Sequence, residues 1–156
     1  MVLLWGNLFP QTAIVITSAL SPHPIIYWTV HCMPRSNKRG TKVGCKLLTQ
    51  IRVGKSYLNS HGFTVGKSLS PHLRCNNSSI ESPSHYFLDC TLHAEEQRTL
   101  FDTFEHYIPK FKSFSKKTKL ETILYGYDID NNEIFTTNVS LQLATQKYIL
   151  QTKRFN

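Results

Sequence analysis

Residues 69–98, LSPHLRCNNSSIESPSHYFLDCTLHAEEQR, carry the pattern around which the rest of the chain is organised. Within it, Cys75, His85 and Cys90 are spaced as Cys-x9-His-x4-Cys. Thiolate sulfur and imidazole nitrogen at short spacing are the ligands of tetrahedral zinc sites in proteins. The pattern therefore predicts a zinc site, and the plain alternative is two ordinary thiols beside a surface imidazole.

The fourth ligand of such a site has two candidates. His72 precedes the first cysteine on a loop, and His93 follows Cys90 by three residues. We favour His93, because a ligand placed there also forces a break in the chain after Cys90. His72 remains the alternative, since a loop can bring it in from the other side.

The break matters because His85 and Cys90 fall in a segment predicted to be helical. Ser82 and Pro83 have the residue types of an N-cap and a first helical position. Five residues along an undistorted α-helix correspond to a rotation of about 140°, which points the two side chains away from a common ion. A zinc site therefore requires the helix to break near residues 89–91.

Four separate pieces of the chain, taken with the zinc pattern, resemble one protein family. They are GCKLLTQIRVGKSYLNSHGF (44–63), HYFLDC (85–90) preceded by Glu81, ILYGYDIDNNEI (123–134) and KYILQTKRF (147–155). In this order they are similar to blocks in the C-terminal region of non-LTR, LINE-type retrotransposon polyproteins, downstream of the reverse transcriptase domain. The resemblance covers roughly residues 40–155.

The resemblance implies a noncatalytic accessory module that binds RNA or DNA, in a truncated copy of the polyprotein. It places Cys75, His85 and Cys90 at the positions of the family's zinc-binding block, which often begins with Cys-x-Cys. Here Leu73 stands at the first of those two positions. Reverse transcription and DNA nicking belong to other domains of such polyproteins, and the chain contains no paired-carboxylate polymerase motif or phosphate-binding glycine loop. We therefore expect no enzymatic activity and no small-molecule substrate.

The charge distribution agrees with a polyanionic partner. The formal net charge is +8, and residues 1–80 contain nine Lys and Arg but no Asp or Glu. A basic half joined to a near-neutral half is typical of proteins that bind nucleic acid, although a solvated basic surface has the same composition. The predicted phosphate contacts are Lys46, Arg52, Lys55, Lys67 and Arg74.

The predicted fold is mostly α: a small bundle of about four helices with a loop-rich insert held by zinc. Four helices are expected at 45–60, at 93–108, from Thr118 and at 133–152, from apolar periodicity and capping residues, in addition to the short helical segment that begins at Ser82. No internal repeat is recognised. We predict an uncharged, proline-broken appendage at 1–34, a basic linker at 35–44 and the helical domain at 45–156. The appendage is too interrupted to favour a membrane helix.

Three other interpretations remain. One is a small helical interaction protein with no metal. Another is a pseudogene product with no retained activity. The third is a small hydrolase or nuclease that uses His85, His93 and Glu95, although no nucleophile with a base and an orienting group is visible. Cysteine usage and the family resemblance favour an intracellular protein, in the nucleus or cytoplasm of a eukaryotic cell.

Overall fold

The structure is a computed structural model that describes residues 39–72, 75, 79–127 and 134–155. The chain divides into two units, 1–31 and 32–156, and all described residues lie in the second. The predicted appendage at 1–34 and the first residues of the predicted linker lie outside the described residues, as does Arg74.

The described part is mostly helical, as the sequence predicted. Helices α1 (Arg39–Arg52), α2 (Asn59–Thr64), α3 (Ala94–Tyr107), α4 (Lys116–Tyr125) and α5 (Ile134–Gln151) follow one another along the chain. A π-helical turn (His85–Asp89) and 3₁₀ turns (Thr91–His93 and Phe111–Ser113) complete the helical segments. The residues described contain no β-strand and only one isolated bridge, between His72 and Ile80. None of the described helices is long and apolar enough to cross a membrane.

Helix α5 is the centre of the bundle, because α1, α3 and α4 all pack against it. Its buried apolar residues are Leu141, Tyr148 and Ile149, and they meet Leu48, Phe104 and Ile123 from the surrounding helices in one core. The α1–α5 contact is close at Gly44, where an added Cβ would lie 3.0 Å from Cβ of Gln146. Close helix packing of this kind explains why a glycine is tolerated inside α1.

The predicted helix at 45–60 is wrong at both ends. Helix α1 begins at Arg39, so residues 39–44 of the predicted linker are helical. It ends at Arg52, because Gly54 adopts a φ of +69° and the N–H of Lys55 bonds to the carbonyl of Gln50. A glycine in this conformation is a helix stop. Nothing among the described residues would meet a Cβ added at Gly54, so close packing does not explain this glycine.

The later helices lie within one or two residues of their predicted positions. Helix α3 ends just before Pro109, and Gly126 with a φ of +96° follows the end of α4. The cap of α4 differs from the prediction: Ser115, rather than Thr118, is the N-cap, and its hydroxyl accepts a hydrogen bond from the N–H of Thr118. Helix α4 therefore starts two residues before the predicted Thr118.

Candidate metal centre and basic cavity

The segment that carries His85 and Cys90 begins with the predicted cap and then leaves α-helical geometry. Ser82 accepts a hydrogen bond from the N–H of His85 through its hydroxyl. His85–Asp89 forms a π-helical turn, in which the N–H of Cys90 bonds to the carbonyl of His85 at 2.9 Å. Cys90 itself is extended, with φ −71° and ψ 112°. The predicted break is therefore present. Because hydrogen bonds from residue i+5 to residue i close a wider turn than in an α-helix, the side chains of His85 and Cys90 lie on the same side of this turn.

Cys75 joins these two residues from the preceding loop. Its Sγ lies 3.3 Å from Nε2 of His85. The ligand atoms of Cys75, His85 and Cys90 all lie within 4.8 Å of one another, with Cys90 buried and the other two half-buried. Both cysteines are free thiols. The structure thus brings three predicted ligands together into a group that can hold a metal ion.

The dimensions of this cluster suit zinc. With zinc–sulfur distances of about 2.3 Å and zinc–nitrogen distances of about 2.0 Å, two ligand atoms on a tetrahedral ion are about 3.5–3.8 Å apart. The cluster needs only small side-chain movements to reach those separations.

Burial raises the pKa of the Cys90 thiol, and the backbone N–H groups of Leu92 and His93 act in the opposite direction by stabilising the thiolate. Backbone donors beside a sulfur are the kind of outer contact that supports a metal ligand.

Neither candidate for the fourth ligand belongs to the cluster. The His93 ring packs edge-on against the Tyr86 ring, at 5.7 Å between centroids, and its burial lowers the pKa of this histidine. His72 has an exposed side chain, and its backbone forms the bridge to Ile80. The preference for His93 is therefore not supported by the geometry, because its ring nitrogens do not lie among the clustered ligand atoms.

The loop that carries Cys75 is closed by backbone contacts and by one buried ion pair. The N–H of Glu81 bonds to the carbonyl of Pro71, next to the His72–Ile80 bridge. The Glu81 carboxylate accepts hydrogen bonds from Nε and Nη2 of Arg154 at 2.5 Å and from the N–H of Asn59 at 2.7 Å. These contacts fix both ends of the loop independently of any metal.

The predicted phosphate contacts divide into two groups. Lys46, Lys55 and Lys67 are exposed, and none of them has an ion pair within the described part of the chain. Arg52 differs, because its Nε donates to the carbonyl of Leu124 and its guanidinium lies 5.9 Å from the centre of the Tyr125 ring. Burial lowers the pKa of Arg52. Arg52 therefore joins α1 to α4 and is not available to a phosphate in this conformation.

Two of the exposed lysines line one cavity of about 280 Å³. Lys55 lies after the end of α1 and Lys67 after the end of α2, and the wall between them includes Tyr57 and His61. Arg154 also lines the cavity, but its charge is paired with Glu81. No carboxylate belongs to the lining, so this is a positively charged cavity with an aromatic side chain in its wall.

The sequence contained a signal for this cavity that was not recognised. The tetrapeptide Val-Gly-Lys-Ser occurs twice, at 53–56 and 65–68. Both copies end a helix through a glycine with φ near +70°, and both place their lysine and serine in the cavity wall. Tyr57, His61 and Arg154 were also missed, because their proximity depends on how α2 and the chain after α5 pack.

Comparisons of the chain with known protein families, with curated proteins and with solved structures find no match.

Proposed function

We propose that this chain is a noncatalytic nucleic-acid-binding module with a zinc-stabilised loop, of the kind found in the C-terminal region of non-LTR retrotransposon polyproteins. The observation that carries the proposal is the convergence of Cys75, His85 and Cys90, which are separated in sequence. The resemblance assigns these three residues to the family's zinc-binding block. The family resemblance supplies the rest of the proposal, including the nuclear or cytoplasmic location.

Zinc would be held by the two thiolates and the His85 imidazole, with water or a further ligand in the remaining position. Its contribution is structural: it would join the loop containing Cys75 to the turn that leads into α3. Structural zinc sites provide folding free energy directly, because the ligands are not assembled in the unfolded chain. The π-helical turn is the local feature that allows both His85 and Cys90 to serve one ion.

The test is the zinc content of protein purified without chelator. We expect about one zinc per chain in the wild type, and loss of zinc in Cys90→Ser. His93→Ala and His72→Ala serve as matched histidine controls and retain the metal, because neither imidazole belongs to the cluster. Wild-type protein with far less than one zinc per chain contradicts the site and favours the metal-free interaction protein. Loss of zinc in His93→Ala alone would show that its ring leaves Tyr86 to bind metal.

Nucleic-acid binding is supported by the exposed lysines of the acid-free half. Lys46, Lys55 and Lys67 carry charges that no described carboxylate pairs. Lysines of this kind attract the phosphate backbone with little regard to sequence, and the affinity falls steeply with salt because counterions are released. Arg52 is left out of the proposed interface, since its guanidinium is used between α1 and α4.

The binding test is a titration of labelled single-stranded RNA at two salt concentrations. Replacement of Lys46, Lys55 and Lys67 by Gln weakens binding and lowers the salt slope by about 2, since each phosphate contact on a single strand contributes about 0.7. Replacement of Lys117, Lys147 and Lys153 by Gln removes the same charge from exposed positions in the other half of the chain. Equal losses in the two triple variants would mean that net charge alone determines binding. Undetectable binding of the wild type at low salt would overturn the proposal.

A further inference from the structure

The two Val-Gly-Lys-Ser turns have nearly the same backbone arrangement. In the first, the N–H of Lys55 bonds to the carbonyl of Gln50 at 2.9 Å, five residues earlier. In the second, the N–H of Lys67 bonds to the carbonyl of Gly62 at 2.7 Å, again five residues earlier. Both are helix ends of the Schellman type, with glycine in the left-handed conformation. The repeat therefore places its two lysines after the same type of helix end, whereas the serines differ, since the N–H of Ser68 also bonds to the carbonyl of Gly62.

Packing places these two turns around the same cavity. Lys55 and Ser56 line it from the end of α1, and Lys67 and Ser68 line it from the end of α2. The C-terminal ends of helices carry partial negative charge on their free carbonyls, which opposes anion binding. Here the carbonyls of Gln50 and Gly62 are already bonded to the two lysine N–H groups. The two lysine ammonium groups and the Ser56 hydroxyl are left as donors toward the cavity, whereas the Ser68 hydroxyl donates to the carbonyl of Ser70.

Two further residues of the wall suit the other parts of a nucleotide. Tyr57 is 59 % exposed, although it is a large aromatic side chain, and it lies between the two turns in sequence. An exposed tyrosine beside basic residues is a stacking platform for a nucleobase. Gln50 also lines the cavity, and a side-chain amide can both donate and accept hydrogen bonds with a base or a sugar.

We propose that the cavity between the turns at 53–56 and 65–68 binds one nucleoside monophosphate unit, with its phosphate held by Lys55 and Lys67 and its base against Tyr57. The cavity volume of about 280 Å³ is near the lower limit of ligand pockets, which span about 300–1,000 Å³. The cavity is therefore large enough for a single nucleotide and too small for a duplex. The unit is either a free nucleotide or one residue of a single strand. Binding of a residue within a single strand depends on the proposed nucleic-acid-binding function. Binding of a free nucleotide does not depend on it.

The experiment is an amide NMR titration of the full chain with four probes: uridine monophosphate, uridine, inorganic phosphate and a uridine pentanucleotide. We expect the monophosphate and the pentanucleotide to shift the amides of Lys55, Ser56, Lys67 and Ser68, with uridine alone and phosphate alone binding more weakly. Lys55→Gln and Lys67→Gln each weaken monophosphate binding by about tenfold, the size expected for one charged hydrogen bond. Lys117→Gln, an exposed lysine outside the cavity, changes it less than twofold.

The outcomes separate the two proposals. A pentanucleotide that binds without moving these four amides overturns the cavity site and leaves the nucleic-acid proposal standing. Monophosphate binding without pentanucleotide binding supports the cavity as a site for a free nucleotide and overturns the strand source. Uridine that binds as tightly as its monophosphate, or equal effects of Lys67→Gln and Lys117→Gln, overturns the assignment of the phosphate to the two lysines.

Discussion

Glu81 and Arg154 form a two-point ion pair, 73 residues apart in sequence, with Arg154 Nε on Oε1 and Nη2 on Oε2. The side chain of Glu81 is 6 % exposed and that of Arg154 is 22 % exposed. The hydrogen bond to Glu81 raises the pKa of Arg154. This ion pair connects the segment that follows α5 to the end of the loop that contains Cys75. It also joins two segments that are far apart in the sequence.

We expect Glu81→Ala to lower the free energy of unfolding by about 3 kcal/mol, because removal of one partner leaves a largely buried charge without its pair. Denaturation by urea measures the change. The control is Glu95→Ala, which breaks the exposed pair with Arg98 and costs about 0.5 kcal/mol. Arg154→Lys keeps the charge but loses the two-point contact, so its cost lies between those of the other two variants. A cost for Glu81→Ala no larger than that for Glu95→Ala would contradict a structural role for the pair.

We expect removal of the proposed zinc at neutral pH to lower the melting temperature, because a metal held by the assembled cluster binds the folded chain more tightly than the unfolded one. The zinc affinity falls as the pH decreases from about 7.5 to 5, since both thiol ligands must lose protons to bind. Burial raises the pKa of Cys90, so the metal-free site holds this proton through neutral pH and zinc has to displace it. Calorimetry with and without chelator at several pH values checks both statements. A melting temperature independent of chelator would contradict the structural role of the metal.

Arg52 and Lys55 lie three residues apart but are expected to have different roles. Arg52 stabilises the contact between α1 and α4, and Lys55 is proposed to bind RNA. Arg52→Ala lowers stability by about 1–3 kcal/mol, because it leaves the carbonyl of Leu124 without its donor. RNA affinity per folded molecule changes little in this variant. Lys55→Ala has the opposite profile, with near-normal stability and weaker RNA binding. Urea denaturation and RNA titration on both variants measure the two effects, and a larger loss of RNA affinity in Arg52→Ala would contradict the assignment.

Gly126→Ala is expected to lower the free energy of unfolding by about 2–3 kcal/mol. The added Cβ would lie 2.6 Å from Oδ1 of Asn138, which accepts the N–H of Tyr127, and φ at this position is +96°. Both steric overlap and backbone strain therefore contribute. Gly54→Ala is the matched control, because φ there is +69° and nothing described would meet its Cβ. It costs about 1 kcal/mol from strain alone, and equal losses in the two variants would show that the Asn138 contact is unimportant.

The helical character of the chain was predictable, because apolar periodicity, capping residues and glycine stops act over a few residues. Pro109 and Gly126 mark the ends of α3 and α4 for this reason. The zinc pattern was predictable in part: the spacing of His85 and Cys90 required a break, and a π-helical turn followed by extended Cys90 provides it. The predicted end of α1 is wrong, because the apolar pattern continues past Gly54 whereas the left-handed backbone of this glycine ends the helix.

Only the tertiary structure decided which polar residues are available for function. Arg52 and Lys55 have similar charge and neighbouring positions, yet the packing of α4 against α1 occupies the guanidinium of Arg52 and leaves Lys55 exposed. His93 had suitable spacing for a metal, but Tyr86 packs against its ring. The sequence by itself predicted helices α3, α4 and α5 to within a few residues, and it identified Cys75, His85 and Cys90 as candidate ligands through local patterns. The pairing of Glu81 with Arg154 and the shared cavity of the two Val-Gly-Lys-Ser turns depend on contacts between distant segments, which local patterns do not specify.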